Sequence, residues 1–457
     1  MSSLTRRDFL QATVLGGAAL VSPLRAADSS APLRIATFRA DVTTPIGHPL
    51  CGGWITPMKE MADPLEAIGY VLLGAGRPIV VCALDWTGVL NEAHVRWRTA
   101  LAAAVGTTPD RVALQCVHQH DAPFVCLRAH ALTLEHQLGV MDPEFFATAV
   151  DRVASAARAC LAGAKPLTHV ARGESVVEQV ASNRRVLFDA AGKVVRMRGS
   201  SSVDAELIAL PEGLVDPLLR TVAFYSGTEK IVACHYYATH PMSSYGKGRV
   251  GADFVGLARR RRQAAEPGCT HLYFTGAAGN IAAGKYNNGS PEAKIRLTDR
   301  IHAGIEASER GLTPRPLRRV QWRTSEILPP ADPAFTVDAL RATLADTTQT
   351  RALRTIAAMR LSWRERVESR VPLVVSALEL DDVSLLHLPA ESFLEYQLLA
   401  QRVTPSRWVA TAAYGDGGPW YVPVRAAYPQ GGYEVSVAFC SPEVDDHLSR
   451  AIRAVLT

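Results

Sequence analysis

Short apolar runs bounded by turn residues recur along the chain from Leu33 onward, and longer amphipathic stretches separate them. A run of four to eight apolar residues predicts a strand, whereas apolar positions three or four apart over a longer stretch predict a helix. Strands are expected at residues 33–38, at 68–73 and 79–84 as a pair around Gly74-Ala75-Gly76-Arg77-Pro78, and at 112–117. Others are expected at 170–177, at 221–225 with 231–237 as a hairpin, and at 272–275, 317–327, 373–388 and 408–413. Helices are expected at 90–105 with Asn91 at the cap, at 142–161 with Asp142 ahead of Pro143, and at 254–265. A further helix follows Ser290-Pro291, its apolar side including Ile295, Ile301 and Ile305. The arginine-bearing stretch 333–366 predicts a helical excursion on the surface, and helices are again expected from Pro389-Ala390-Glu391 to residue 401 and over 445–455. Strands alternate with helices, yet hairpins intrude. The pattern therefore predicts a mixed α/β (α+β) fold, with central mixed β-sheets flanked by helices rather than a doubly wound sheet. No internal repeat is evident.

The first residues change the picture of where the chain works. Thr5-Arg6-Arg7-Asp8-Phe9-Leu10, the apolar stretch 12–21 and the small-residue exit Arg25-Ala26-Ala27 predict a twin-arginine signal peptide over residues 1–26. The ten apolar residues fall short of the roughly 20 that cross a membrane, and no later run reads as a span, since Asp85 interrupts the best one. The expectation is a periplasmic or secreted protein that engages the twin-arginine export machinery. Its mature part, 27–457, is expected to be a single domain with no transmembrane segment. The leader holds Arg6, Arg7, Arg25 and Asp8, so a formal charge of +5 drops by two to +3. That surplus is too small, and no basic run is long enough, to predict nucleic-acid binding. Eight cysteines lie scattered without CxxC spacing; Cys116 with Cys126, or Cys51 with Cys440, are the candidate pairs, and buried thiols are the alternative.

Candidate chemistry gathers at strand exits. Val117-His118-Gln119-His120-Asp121-Ala122-Pro123 follows a buried strand, and histidines two apart on extended backbone face one way, as a metal site needs. His240, in Ala238-Thr239-His240-Pro241, leaves a second strand; His235 lies within that strand and reads as a core residue. Asp253 reads as a helix cap that can also bond a ligand histidine. Gly276-Ala277-Ala278-Gly279-Asn280 is a small-residue turn able to offer backbone N–H groups to an oxyanion, and it lacks the lysine of a phosphate loop.

These motifs, in order, resemble the catalytic domain of the neutral and alkaline ceramidases. Asp41-Val42-Thr43-Thr44-Pro45 is similar to the family's opening DITPP, Asp85 to its strand-end aspartate, and His118 to Pro123 to its THTHSGP. Asn183-Arg184, Val203-Asp204, Ala238-Thr239-His240-Pro241, Gly251-Ala252-Asp253, Gly276 to Asn280 and Leu388-Pro389-Ala390-Glu391 resemble further blocks. The last block is the stretch from Trp420-Tyr421 to Tyr433-Glu434. The resemblance implies a zinc ion (Zn2+) held by His118, His240, Glu391 and Tyr421, with His120 beside it and Arg184 and Tyr433 facing the substrate carbonyl. By their own surroundings alone, Glu391 is a helix cap and Tyr421 an ordinary aromatic. The implied activity is zinc-dependent hydrolysis of an amide or ester by metal-activated water, on a small-molecule, lipid or glycoconjugate substrate. The rivals are a zinc phosphoesterase or lyase, and a non-catalytic secreted glycan- or lipid-binding protein. Three departures stand out: Gly279 occupies the place of a serine once proposed as nucleophile, Phe124-Val125 replaces a glycine pair, and an immunoglobulin-like module is not expected after Thr457. Phe124 is therefore expected to narrow the pocket, with Trp420 or Tyr428 meeting the acyl or sugar portion from a loop without regular structure.

Overall fold

The computed structural model describes residues 31–457; the predicted twin-arginine segment lies outside them. Three sheets carry the fold, and each repeats one topology. In the first, strands Arg34–Asp41, Glu66–Leu73 and Ile79–Leu84 form an antiparallel meander. Helix Glu92–Val105 then crosses over to strand Val112–Cys116, which pairs parallel to Ile79–Leu84, and helix Pro143–Cys160 packs back on the first strand. The second unit repeats this order with strands His169–Val176, Leu218–Ser226 and Glu229–Tyr237, helix Asp253–Ala265, parallel strand Thr270–Thr275 and helix Pro291–Glu309. The third uses Val320–Ile327, Leu373–Leu380 and Val383–His387, helix Leu394–Val403, parallel strand Trp408–Ala412 and helix Val444–Leu456.

The local sequence explains these elements. All six residues of Ile79–Leu84 are buried, as a continuous apolar run with a strand on each side requires. The closing helix buries Val444, Leu448, Ala451, Ile452 and Val455, one stripe at helical spacing. Asp142 and Ser290 cap as expected, accepting from the N–H groups of Glu144 and Phe145 and of Ala293.

The parallel strands of the three units meet at the centre. Ala413 N–H donates to the Thr275 carbonyl at 2.9 Å, Cys116 N–H to the Tyr414 carbonyl at 2.8 Å, and the Gln115 side chain to the Leu388 and Ala412 carbonyls. The carboxyl ends of six strands, two per unit, thus open on one place. In the second and third units the longest connection lies between the first and second strands (177–217 and 328–372).

Several expectations are corrected. Residues 373–388 are a hairpin turning at Asp381 (φ 54°), not one strand. Ile295 is 54% exposed, because the buried side of its helix runs through Ala293, Leu297, Ile301 and Ile305. Asn91 has φ 54° and caps nothing; its side chain donates to Ser362 Oγ. The stretch 333–366 forms two helices, Val337–Ala345 and Arg351–Glu368, and the second buries Met359, Leu361 and Trp363 rather than standing off the surface. Two of its arginines are held inside by partners: Arg354 donates to the Leu344 carbonyl at 2.8 Å, and Arg366 reaches Asp416 at 2.6 Å. All eight cysteines are free thiols. Among the described residues, no helix is long and apolar enough to cross a membrane.

Candidate functional site

Each unit contributes through the exits of its two central strands. From the first come Thr87, His118 and His120; from the second, His240 and the turn 276–280; from the third, Glu391, Tyr414 and Tyr421. His118 takes φ 77°, a left-handed conformation that turns the chain out of its strand, and its N–H is fixed by the Trp86 carbonyl at 3.0 Å. His240 is tied by its N–H to the Ile281 carbonyl at 3.1 Å. Glu391 and Tyr421 sit side by side because residues 391–392 and 421–422 form a two-residue parallel ladder with those two in register.

The geometry at the centre is specific. His118 Nε2 and His240 Nε2 lie 3.0 Å apart, and Glu391 Oε2 is 3.4 Å from both. The remaining ring nitrogens face backbone carbonyls: His118 Nδ1 is 2.6 Å from Thr87 O, and His240 Nδ1 is 3.0 Å from Ala278 O. A carbonyl only accepts, so in both rings Nδ1 carries a proton and Nε2 is turned to the centre. The Tyr414 hydroxyl lies 3.2 Å from the same His240 Nδ1 and shares its N–H as a second acceptor, while the Tyr414 ring stacks on His118 at 4.1 Å. Burial, followed by the neighbouring histidines, pushes the His240 pKa well below the ordinary histidine value, so that ring does not carry a second proton. Two ring nitrogens and a carboxylate oxygen with no hydrogen-bond partner therefore converge in a buried space. Such a set is repulsive unless a cation joins it, and nitrogen and oxygen donors backed by carbonyl acceptors fit zinc.

His120, Arg184 and Tyr433 line the same cavity of about 270 Å³ as His118, His240, Glu391 and Tyr421. The His120 ring is 4.8 Å from that of His118 and 5.3 Å from that of His240, and its Nδ1 is buried without a partner. Burial first, then His118 and Arg184, lowers its pKa well below the usual value and keeps it neutral. With His118 and His240 it forms a trio of potential metal donors within 4.8 Å of one another. Arg184 Nη1 donates to the Tyr421 hydroxyl at 3.0 Å, its Nε lies 3.5 Å from Glu434, and its guanidinium sits 5.2 Å from the Tyr433 ring centre. Burial pulls its pKa down, but Tyr421 and Glu434 more than offset this and hold it charged. The Tyr421 hydroxyl thus faces Arg184, and burial followed by Glu391 raises its pKa.

Three assignments made from sequence change here. Asp253 bonds no histidine; its carboxylate takes the N–H and hydroxyl of Ser243, pinning the loop after His240. The turn 276–280 commits three of its N–H groups to scaffold contacts, those of Gly276, Ala277 and Gly279 to Tyr237 O, Gln397 Oε1 and Ser392 O. Tyr428 donates to the Cys440 carbonyl and does not line the cavity, whereas Phe124 and Trp420 do. Sequence reading also missed Thr87, Tyr414, Cys51, Trp54, Met242 and Tyr245. Thr87 occupies, at its strand exit, the place His240 and Glu391 hold at theirs; only knowledge of the repeat would have drawn attention to it.

No protein-family model matches the chain, and no curated protein matches it. Solved structures do. A ceramidase described as complexed with C2 is 16% identical with a TM-score of 0.66, over 93% of this chain and 75% of its own. A neutral ceramidase from Pseudomonas aeruginosa is 15% identical with a TM-score of 0.65, over 93% and 74%. The chain has a ceramidase-like fold.

Proposed function

We propose that this protein is a zinc-dependent hydrolase of an amide or ester bond. The supporting observation is the convergence of His118 Nε2, His240 Nε2 and Glu391 Oε2 at 3.0–3.4 Å in a buried space. Tyr421, in register with Glu391, is the fourth candidate ligand. A zinc ion held there would supply Lewis acidity and a water acidic enough to attack at neutral pH.

The chain's own groups account for the rest. His120, neutral and with a free Nδ1, takes the proton of the attacking water. Addition of the water oxygen to the carbonyl carbon moves the C=O electron pair onto oxygen, where Arg184 and Tyr433 stabilise the charge. Collapse breaks the C–N or C–O bond, and the proton on His120 passes to the leaving atom. A serine route has no room: a Cβ on Gly279 would stand 2.4 Å from the Glu391 carbonyl oxygen. The phosphoesterase alternative is weaker, because among the described residues Arg184 is the only arginine or lysine lining the cavity and Glu434 already faces it. Metal analysis, with activity on acyl esters, N-acyl amides and phosphate esters before and after chelation, tests the reading. Less than about half a zinc per chain, with activity indifferent to chelators, overturns it, because a catalytic ion must be present to act.

We further propose export by the twin-arginine route. Replacing Arg6 and Arg7 by lysine should trap the precursor in the cytoplasm, and unchanged export would refute this.

A further inference from the structure

Two groups of aromatic side chains bracket the cavity, one at its inner end and one at its mouth. At the inner end, Trp54 stacks on Trp420 with ring centres 5.1 Å apart, and Phe124 touches both at 5.6 and 6.0 Å. The three rings close a wall. Phe124 is seated where Gly88 has no side chain, since a Cβ there would fall 2.3 Å from its ring. Trp54 is anchored through Nε1 to Thr355 Oγ1 on the insertion of the third unit. A separate void of about 10 Å³, bounded also by Gly88, Ala390, Gly415 and Gly417, adjoins the cavity, and Phe124 lines both spaces.

At the mouth, Tyr245 and Tyr433 are 43% and 44% exposed and come from different loops, yet both line the cavity. Tyr245 is held on either side: Ser243 is bonded to Asp253, and Gly246 N–H donates to Asp121 at 3.0 Å. Its ring lies edge-on to His120 at 5.9 Å, on the side where the leaving atom must receive its proton. Tyr433 stands over Arg184. Two tyrosine faces fixed at an opening offer stacking surfaces to a ring, and give a flexible chain nothing to wrap around.

Resting on the hydrolase reading above, we propose that the bond cleaved joins a short acyl group to an amine or alcohol carrying a ring, the ring lying between Tyr245 and Tyr433. The cavity of about 270 Å³ must hold the carbonyl, the attacking water, the leaving atom and the near edge of the ring, which leaves space for only a short acyl tail. A long acyl chain meets the wall of Trp54, Phe124 and Trp420.

The test uses zinc-loaded full-length protein and two substrate series. Acyl p-nitrophenyl esters from C2 to C16 probe the inner end; N-acetyl derivatives of an amino sugar, of aniline and of butylamine probe the mouth. We expect kcat/KM to fall by about 100-fold or more between C4 and C12, since each misfitting methylene costs about tenfold or more. Phe124→Gly should raise the C8 to C12 rates relative to C2, and Phe124→Leu should do so partially if the glycine variant fails to fold. Tyr245→Ala should raise KM for the ring-bearing acetyl compounds about fivefold and narrow their advantage over N-acetylbutylamine. Which of the sugar and the anilide is preferred identifies the kind of ring. A wild-type optimum at C12 or longer, or butylamine cleaved as well as both ring amines, overturns the substrate assignment while leaving the hydrolase reading intact. No cleavage of any ester or amide by zinc-loaded protein overturns both.

Discussion

Replacing Gly279 by alanine isolates the dependence of the site on one close approach of backbone. Gly279 lies outside the left-handed region, so alanine fits its conformation and only space is at issue. A Cβ there would meet Glu391 O at 2.4 Å, Glu391 C at 3.1 Å and Phe393 Cδ1 at 3.0 Å, where ordinary contact begins at 3.4 Å. Relief requires a shift of about 1 Å (3.4 minus 2.4), and the atom to be moved is the main chain of the candidate ligand itself. Overpacking of this kind costs about 1–3 kcal/mol. A 1 Å displacement of a catalytic group costs on the order of 100-fold in rate. We therefore expect Gly279→Ala to lower the unfolding midpoint modestly, kcat/KM by about 100-fold and zinc affinity in parallel. The assays are urea unfolding, steady-state kinetics and competition with a zinc-sensitive dye. Gly163→Ala, at a glycine with open space around it, is the control. Full activity and unchanged zinc affinity in Gly279→Ala would refute the reasoning, and a gain of activity in Gly279→Ser would reinstate a serine nucleophile.

Zinc added to chelator-stripped protein should raise the unfolding midpoint, by about 2.7 kcal/mol at 100 times its Kd, and Glu391→Gln should cut most of that gain; differential scanning fluorimetry decides. Tyr433→Phe or Arg184→Lys should lower kcat about 100-fold or more with little change in KM, if these groups act on the developing charge; a KM effect alone would place them in ground-state binding. Burial pushes the pKa of His387 down to about 3 and that of His94 to about 4. Both must charge on unfolding, so their stabilisation is complete above pH 6.5 and is lost as pH falls toward 4 and 3. His387→Gln should flatten the acid limb of a urea-midpoint profile by on the order of 3 kcal/mol at pH 4. A profile identical to wild type between pH 7 and 4 would show that His387 does not drive acid unfolding.

Legibility from sequence followed the physical locality of each signal. The strand Ile79–Leu84 was readable to the residue because both of its faces are covered, which leaves an unbroken apolar run. His118 and His120 were readable because their spacing is local, whereas Glu391 and Tyr421 have no local mark and emerged only through resemblance to a family. The register that joins them, a two-residue ladder across thirty residues of chain, is a tertiary fact. The arginine-rich helix Arg351–Glu368 was misplaced because charge pattern reports solvation only when charges lack partners; Arg354 and Arg366 are buried against carbonyls and Asp416. The threefold repeat was invisible because it consists of an order of elements. Any apolar runs of suitable length satisfy it, and the insertions between first and second strands differ in length in every unit.

That repeat explains why the site is where it is. Three copies of one topology, packed with their parallel strands inward, bring six strand exits to a single point, but an exit by itself directs a side chain along its strand. The extra turn comes from backbone strain. Of the eleven non-glycine residues with positive φ among those described, Cys51, His118, Ala390, Tyr414 and Trp420 line the cavity or the adjoining void. Ala390 immediately precedes Glu391, and Trp420 immediately precedes Tyr421. Each left-handed residue costs on the order of 1–3 kcal/mol, and such strain persists only where surrounding contacts over-determine it. Here those contacts are Glu391 N–H to Trp420 O at 2.9 Å, Tyr414 N–H to Ala390 O at 3.0 Å and Trp420 N–H to Gly417 O at 2.9 Å. The strained residues hold one another. A fold with no chemistry to perform would gain by relaxing them, so their concentration around His118, His240 and Glu391 is independent physical support for a functional site at that point.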